Sequence, residues 1–228
     1  MGIKERHERD RETVRRAILD AARDLFVSEG YQNVSIRKIA ERIEYSPAAI
    51  YSYFPSKDDI FFALAEEGFQ LLCALPEVAE LDPLEGLRRG FFRLYEFSKE
   101  HSQYFALMFI DRAVPRISQE YERFAFARQV KARVVDRVRA CIVAGVFPGS
   151  TKPFAAFRVL STAMIGAAVM RLSGRTAPGE DPDAIAHDAL ETAIAGLRTG
   201  VELHAADMNC EVEPHASGRR ARHEESFV

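Results

Sequence analysis

A chain of 228 residues, 47% hydrophobic and 29% charged, is long enough for one large or two modest domains with cores of their own. Its formal net charge of −3 excludes a wholly basic nucleic-acid coat, so contact with a polyanion would need a local basic surface. Met1 to Arg16 is charged throughout and shows no signal-peptide pattern, and the most apolar stretch, Val159 to Leu172, is too short for a bilayer span. A cytoplasmic location is expected. Cys73, Cys141 and Cys210 are too widely spaced for a disulfide framework or a paired metal motif, so no cofactor or metal is expected, and Cys73 and Cys141 read as buried and inert rather than as oxidant sensors.

Residues 1–13 alternate acid and base and read as a charged arm, either a frayed helix or mobile. A first helix follows, with Ile18, Ala21, Ala22, Leu25 and Phe26 on one stripe and Gly30 at its end. Ile36, Ile39, Ala40 and Ile43 recur at i, i+3, i+4 and i+7, which predicts a second helix. After the turn Glu44-Tyr45, Ser46 suits an N-cap and Pro47 the first helical position, where its missing N–H costs nothing. Two short helices joined in this way fit a helix-turn-helix. Ser56 and Asp59 resemble a capping box with a short acid, opening a linking helix through Phe61, Leu64, Ala65, Phe69 and Leu72. Pro76 and Asp82-Pro83 bracket a connector, so a first domain is placed at 14–75 and a second at 76–206.

In the second domain helices are expected at Leu84 to Glu100, Gln103 to Ile110, Arg116 to Ala144, Phe154 to Leu172 and Asp183 to His204. Residues 207–228 are polar and weakly patterned and read as a disordered tail, with Arg219, Arg220 and Arg222 solvated beside Glu224 and Glu225. No period-2 alternation and no repeat is present; the fold class is all-α.

Ile50-Tyr51-Ser52-Tyr53-Phe54-Pro55-Ser56-Lys57 followed by Asp58-Asp59-Ile60 resembles the signature of the tetracycline-repressor (TetR-type) family of transcriptional regulators. The resemblance runs from about Val14 to about Leu72 and includes Ile18 to Ala22 and Leu25-Phe26 through Gly30-Tyr31. It implies a DNA-binding helix-turn-helix domain followed by a helical domain for effector binding and dimerisation. It also implies a cytoplasmic homodimer on double-stranded DNA, with no catalytic site. The turn departs from the family pattern: Ile43-Glu44 stands where a small residue and glycine are common. A non-glycine there is expected to be strained if φ is positive. Tyr45 replaces a small aliphatic and reads as a core or phosphate-facing substitute.

By resemblance, Tyr51, Tyr53 and Lys57 match positions that contact the DNA backbone. Ser35 and Ser46 are helix caps first and phosphate contacts second. Arg37 suits either a guanine edge or a phosphate, and Lys38 a phosphate. Pro47, Ala48, Ala49 and Ser52 form a sparse recognition face, with the alanines offering apolar contact to thymine methyls. DNA shape is therefore expected to contribute to specificity.

The aromatics of the second domain read mainly as core, yet apolar pockets share that composition. Phe91, Tyr95, His101, Tyr104, Phe105, Arg112, Phe124 and Gln129 are the candidate effector-binding residues, for a small apolar or aromatic molecule. The last two helices, rich in small residues such as Ala163, Gly166 and Ala167, are the expected homodimer interface. The family resemblance implies release of a repressor from a pseudo-palindromic operator by effector as the mechanism. An activator of the same fold, or a helical interaction module without specific DNA binding, is the alternative. The sequence holds no Gly-rich phosphate loop, nucleophile elbow or ligand-spaced Cys/His cluster, so an enzyme is disfavoured.

Overall fold

The computed structural model describes residues 3–74, 82–111 and 125–204, and these are helical with connecting turns. Helix α1 (Ile3–Glu29) is longer than its apolar stripe: the charged segment before Val14 continues the same helix. Gly30 ends it at φ +82°, a conformation that favours glycine, and a 3-10 turn (Tyr31–Asn33) leads to α2 (Ile36–Arg42). Helix α3 (Pro47–Tyr51) and α4 (Lys57–Cys73) follow. The apolar stripes of α1, α2 and α4 close a small core around Ile18, Ala22, Ile39, Ile50 and Phe61.

The second domain holds α5 (Pro83–Glu100), α6 (Ser102–Phe105), α7 (Ala125–Val143), α8 (Pro153–Leu172) and α9 (Pro182–Arg198). Helix α6 passes directly into a π-helical turn (Ala106–Ile110), where one continuous helix was expected. The expected starts near Arg116 and the connector around Pro76 lie outside the described residues. Helix α9 stops at Arg198, short of the expected His204, because Gly200 at φ +77° turns the chain out of the helix. Helix α8 begins at Pro153 in the first helical position and so reaches 20 residues. By length and apolarity it could cross a membrane, contrary to the sequence expectation, which counted only from Val159. Seven of its residues, including Phe154, Leu160 and Met164, are instead buried in the protein core.

Helices α5, α7, α8 and α9 pack as a bundle, and α6 with its π turn wedges between that bundle and α1 and α4. The closest approach is at Gly68 of α4, where a Cβ would lie 2.4 Å from Met108 Sδ and 3.2 Å from the Tyr104 ring. The absent side chain lets the π turn seat on α4. Cys141 is buried and donates to the Pro83 carbonyl at 3.3 Å, whereas Cys73 is exposed, not buried as expected.

Candidate nucleic-acid interface

Each helix of the turn region is started by a local side chain. Ser35 Oγ accepts from the Lys38 N–H at 3.2 Å, and Ser46 Oγ from the Ala49 N–H at 3.1 Å. Ser56 Oγ accepts from the Asp59 N–H at 3.2 Å and donates to the Asp59 carboxylate at 2.6 Å. The short acid thus meets the cap's hydroxyl directly. Such caps are worth about 1 kcal/mol each, which matters for a helix as short as α3. Glu44 adopts φ +59°, so the turn has the conformation that favours glycine and carries the strain expected of a side chain there.

Ser35, Arg37, Ser46, Pro47, Ala48, Tyr51 and Ser52 are exposed, while Ala49, Tyr53, Lys38 and Lys57 are half-buried. Tyr51 is 54% exposed and Tyr45 46%, which removes Tyr45 from the core and leaves both rings at the surface beside α3. Arg37 Nε pairs with Glu41 at 2.9 Å on the outer face of α2. An exposed i,i+4 pair contributes only about 0.3–0.5 kcal/mol, so Arg37 is readily redirected. Lys38 is held more firmly, by the Glu29 carboxylate at the end of α1. The Ser52 hydroxyl donates to the Ala49 carbonyl at 2.7 Å.

Lys57 is turned inward. Its ammonium donates to the carbonyls of Tyr31 (2.8 Å) and Val34 (3.0 Å) and lies 4.1 Å from the Tyr31 ring centre. Burial lowers its pKa, with the Asp58 charge acting in the opposite sense. The Tyr31 hydroxyl donates to Asp58, and burial followed by that carboxylate raises its pKa. Two of the three ammonium donors therefore tie α4 to the turn after α1, leaving one for a phosphate.

Two residues absent from the sequence expectation join this surface. The Arg11 guanidinium lies 5.8 Å from the centre of the Tyr53 ring, and that of Arg15 lies 5.4 Å from the Phe54 ring. Their spacing on the α1 stripe was the signal available in the sequence.

Behind the surface, polar contacts connect the two domains. Arg16 donates to Asp20 (2.6 and 3.0 Å) and to Glu67 (2.6 Å), and Arg23 to Asp20 (2.9 Å) with its guanidinium 5.5 Å from the Tyr104 ring centre. Burial works to raise the Asp20 pKa, but the hydrogen bonds and charges of Arg16 and Arg23 hold it below its usual value. Gln103 adds a bond to Asp24 at 3.3 Å.

Six of the eight candidate effector residues are among the described residues. Phe91, Tyr95, Tyr104 and Phe105 are buried, His101 is half-buried and Gln129 is exposed. Arg112 and Phe124 lie outside the described residues. Phe91 packs on Phe157, and the Tyr95 hydroxyl donates to Asp183 at 2.8 Å beneath the Arg171 guanidinium. Burial and that carboxylate push the Tyr95 pKa up to about 12. Arg171 in turn donates to the Ser98 carbonyl at 2.7 Å. An open cleft of about 370 Å³ lies between α1 and α4, lined by Arg15, Arg16, Leu19, Glu67 and neighbours, and touches none of the eight.

A capped, exposed second helix set on a three-helix core, joined to a separate helical bundle, defines a helix-turn-helix regulator. Residues 18–64 match the family model described as bacterial regulatory proteins of the tetR family, and residues 89–193 the tetracyclin repressor-like C-terminal domain. The chain belongs to the TetR family of transcriptional regulators, non-enzymatic DNA-binding proteins. It is 40% identical over 75 residues to the HTH-type transcriptional repressor Rv1474c of Mycobacterium tuberculosis, covering 33% of this chain and 38% of that protein. The HTH-type transcriptional repressor AcnR of Corynebacterium glutamicum is 38% identical over 76 residues, 33% of this chain and 39% of AcnR. Less than two-fifths of either relative is thus matched. Among solved structures, MexZ, a repressor responsible for antibiotic resistance in Pseudomonas aeruginosa, superposes with a TM-score of 0.66 at 18% identity, over 86% of this chain and all of MexZ. A putative fatty acid metabolism regulator of Clostridium perfringens gives 0.64 at 17%, over 79% of this chain and 97% of its own. At these identities the likeness is one of fold.

Proposed function

We propose that this chain is a cytoplasmic, homodimeric repressor that binds a pseudo-palindromic operator and is released by a small apolar or aromatic effector. The observation that carries the reading is the exposed α3 surface, framed by Tyr45, Tyr51 and Ser52 and started by the Ser46 cap and Pro47. Helix-turn-helix half-sites lie one DNA turn apart, roughly 34–36 Å, so two copies are needed to read them. Support for the dimer comes from α8, where Val159, Thr162, Gly166 and Met170 form one exposed stripe of apolar and small residues. On α9, the small residues Ala184, Thr192 and Ala195 are exposed along one side, with Asp188 among them. These two faces paired with their symmetry mates would make a four-helix interface. The repressor direction rests on the names of the relatives.

For the effector, support lies where α4, the π turn and α7 meet. Phe69 lies 6.3 Å from Phe109 and 5.5 Å from Phe126, between ring centres. An apolar ligand inserted there would bear directly on α4. It would shift the population of DNA-binding conformers by its differential affinity for them.

Selection of duplexes from a random pool by the purified chain, at two salt concentrations, tests the reading. A pseudo-palindrome is expected, and Arg37→Ala is expected to change preference among sites. Salt-labile binding without a motif would defeat the operator, and a monomer by sedimentation at micromolar concentration would defeat the dimer.

A further inference from the structure

The stripe of α1 that faces the core does not end where the core ends. Val14 is the first residue of the helix packed against the core, and the ten residues from Lys4 to Thr13 are exposed. At 1.5 Å per residue they extend the helix by about 15 Å beyond the domain. Followed backwards from Leu25, Ala22 and Ile18, the same stripe continues at steps of three and four through Arg15, Arg11, Glu8, His7 and Lys4. It changes from apolar to predominantly basic as it leaves the core. Of the other acids of the segment, Glu5 and Asp10 fall on other faces, while Glu12 lies at the stripe's edge and pairs with Arg15 at 3.6 Å.

That overhang starts at the recognition surface. Arg15 lies over the Phe54 ring and Arg11 over the Tyr53 ring, immediately after the recognition helix. Arg11 is exposed, and among the described residues no carboxylate lies within ion-pair reach of it. Its packing on Tyr53 directs the charge beside a residue of the proposed DNA contact. Of the basic residues on this stripe, Arg15 is paired with Glu12, which leaves Lys4 and Arg11 as the charges offered to a polyanion alongside it.

We propose that the amino-terminal overhang of α1 is a second DNA-contacting element, in which Lys4 and Arg11 bind backbone phosphates next to those bound through α3. The distance from Lys4 to Arg11, about 10 Å along the helix, is comparable with three phosphates of one strand at roughly 3.4 Å of axis each. The occupant is DNA because the stripe is continuous with the helix-turn-helix surface and complementary to it in charge. The inference rests on the DNA-binding reading. It adds a contact that carries affinity and salt dependence without sequence information.

The test uses the full chain and fluorescence anisotropy on two duplexes, the selected operator and a random sequence, across a salt series. The double variant Lys4→Gln/Arg11→Gln should weaken binding several-fold to both duplexes and flatten the salt slope by about 0.9 for each phosphate no longer neutralised. Glu8→Gln, on the stripe, should tighten binding. Asp10→Asn makes the same change in net charge on another face and should leave affinity within about two-fold, a span of roughly 0.4 kcal/mol. Circular dichroism melting of each variant should match the parent, since these side chains are exposed. The proposal is overturned if the double variant keeps the parent's slope while Tyr51→Phe still weakens binding. It also fails if Asp10→Asn tightens binding as much as Glu8→Gln, which would mean a general field only, or if the loss appears on one sequence alone. A parent protein that binds no duplex would bring down the DNA reading itself, and this inference with it.

Discussion

In the amino-terminal helices each turn is fixed by a side chain three residues from the N–H it satisfies: Ser35 to Lys38, Ser46 to Ala49, Ser56 to Asp59. In the second domain Asp82 and Asp181 cap α5 and α9 locally as well. The polar contacts that join α5 to its neighbours, however, reach across the chain, Tyr95 to Asp183 and Arg88 to Glu191, with Arg171 returning to Ser98. The recognition surface is therefore built from local rules on a small core, and its residues can be changed one at a time. The second domain is held by burial and by pairs that exist only once the bundle has closed. A substitution should act on binding in the first region and on stability in the second.

The largest effect expected from this contrast is Phe105→Ala. Phe105 is fully buried beneath Phe109, and its removal leaves a cavity costing about 3–5 kcal/mol. Urea unfolding should show that loss, while DNA affinity per folded molecule stays near that of the parent. A variant that lost binding without losing stability would show that the wedge between the domains transmits more than it supports.

Lys57 is where the contrast should break. It lies within the signature that suggests a phosphate contact, yet its partners are the Tyr31 and Val34 carbonyls, 26 and 23 residues away. Lys57→Met removes both donors and should destabilise the chain by about 1–3 kcal/mol, with a fall in melting temperature of roughly 2–4 °C for each kcal/mol. Tyr51→Phe, at an exposed ring, should weaken DNA binding with no change in melting. If Lys57→Met melts like the parent, the two carbonyls are satisfied by water and the lysine is free for DNA.

This difference in range also explains what could be read from the sequence. The all-α class, the caps and Pro47 are legible because their physics spans one turn of helix. The positive φ at Glu44 was legible because the turn geometry demands it whatever side chain sits there. The inward turn of Lys57 and the exposure of Tyr45 depend on contacts distant in sequence that helical spacing alone could not reveal, and for Arg11 spacing gave the face of α1 but not the Tyr53 ring it meets. Composition singles out aromatic and polar residues of the second domain but does not separate a pocket lining from a core. Phe91, Tyr95 and Phe105 are packed as core, and Gln129 faces solvent.

Glu44 separates strain from charge within the local region. Glu44→Gly relieves the positive φ and should stabilise the chain by about 1 kcal/mol, visible as a higher urea midpoint. Glu44→Gln keeps the backbone strain and removes the negative charge, so it should leave the midpoint unchanged and tighten DNA binding modestly. Equal stabilisation by both would assign the effect to charge, and the turn would carry no strain worth relieving.

The smallest effect is expected in the second domain, at Asp183. Hydrogen bonds from Lys99 (2.5 Å) and then Tyr95 hold its carboxyl below the ordinary value, against the opposing effect of burial. A carboxylate with a lowered folded pKa stabilises the protein above its unfolded value, about 3.9, and loses that contribution as pH falls through the folded one. Tyr95 has the opposite sign. Its pKa is raised to about 12, so its contribution is complete below the unfolded value near 10 and lost as pH rises through about 12. Asp183→Asn should therefore flatten the decline of the urea midpoint below about pH 4 and, by removing the acceptor charge that raises the folded Tyr95 pKa, make the alkaline decline above about pH 10 smaller. The Asp183 side chain is 46% exposed, so solvent screening keeps the change at neutral pH small. DNA affinity should not move at all. Parallel acid limbs in parent and variant would show that the carboxylate is screened in both states and that, of the polar links between α5 and α9, only Arg88 to Glu191 is left to contribute.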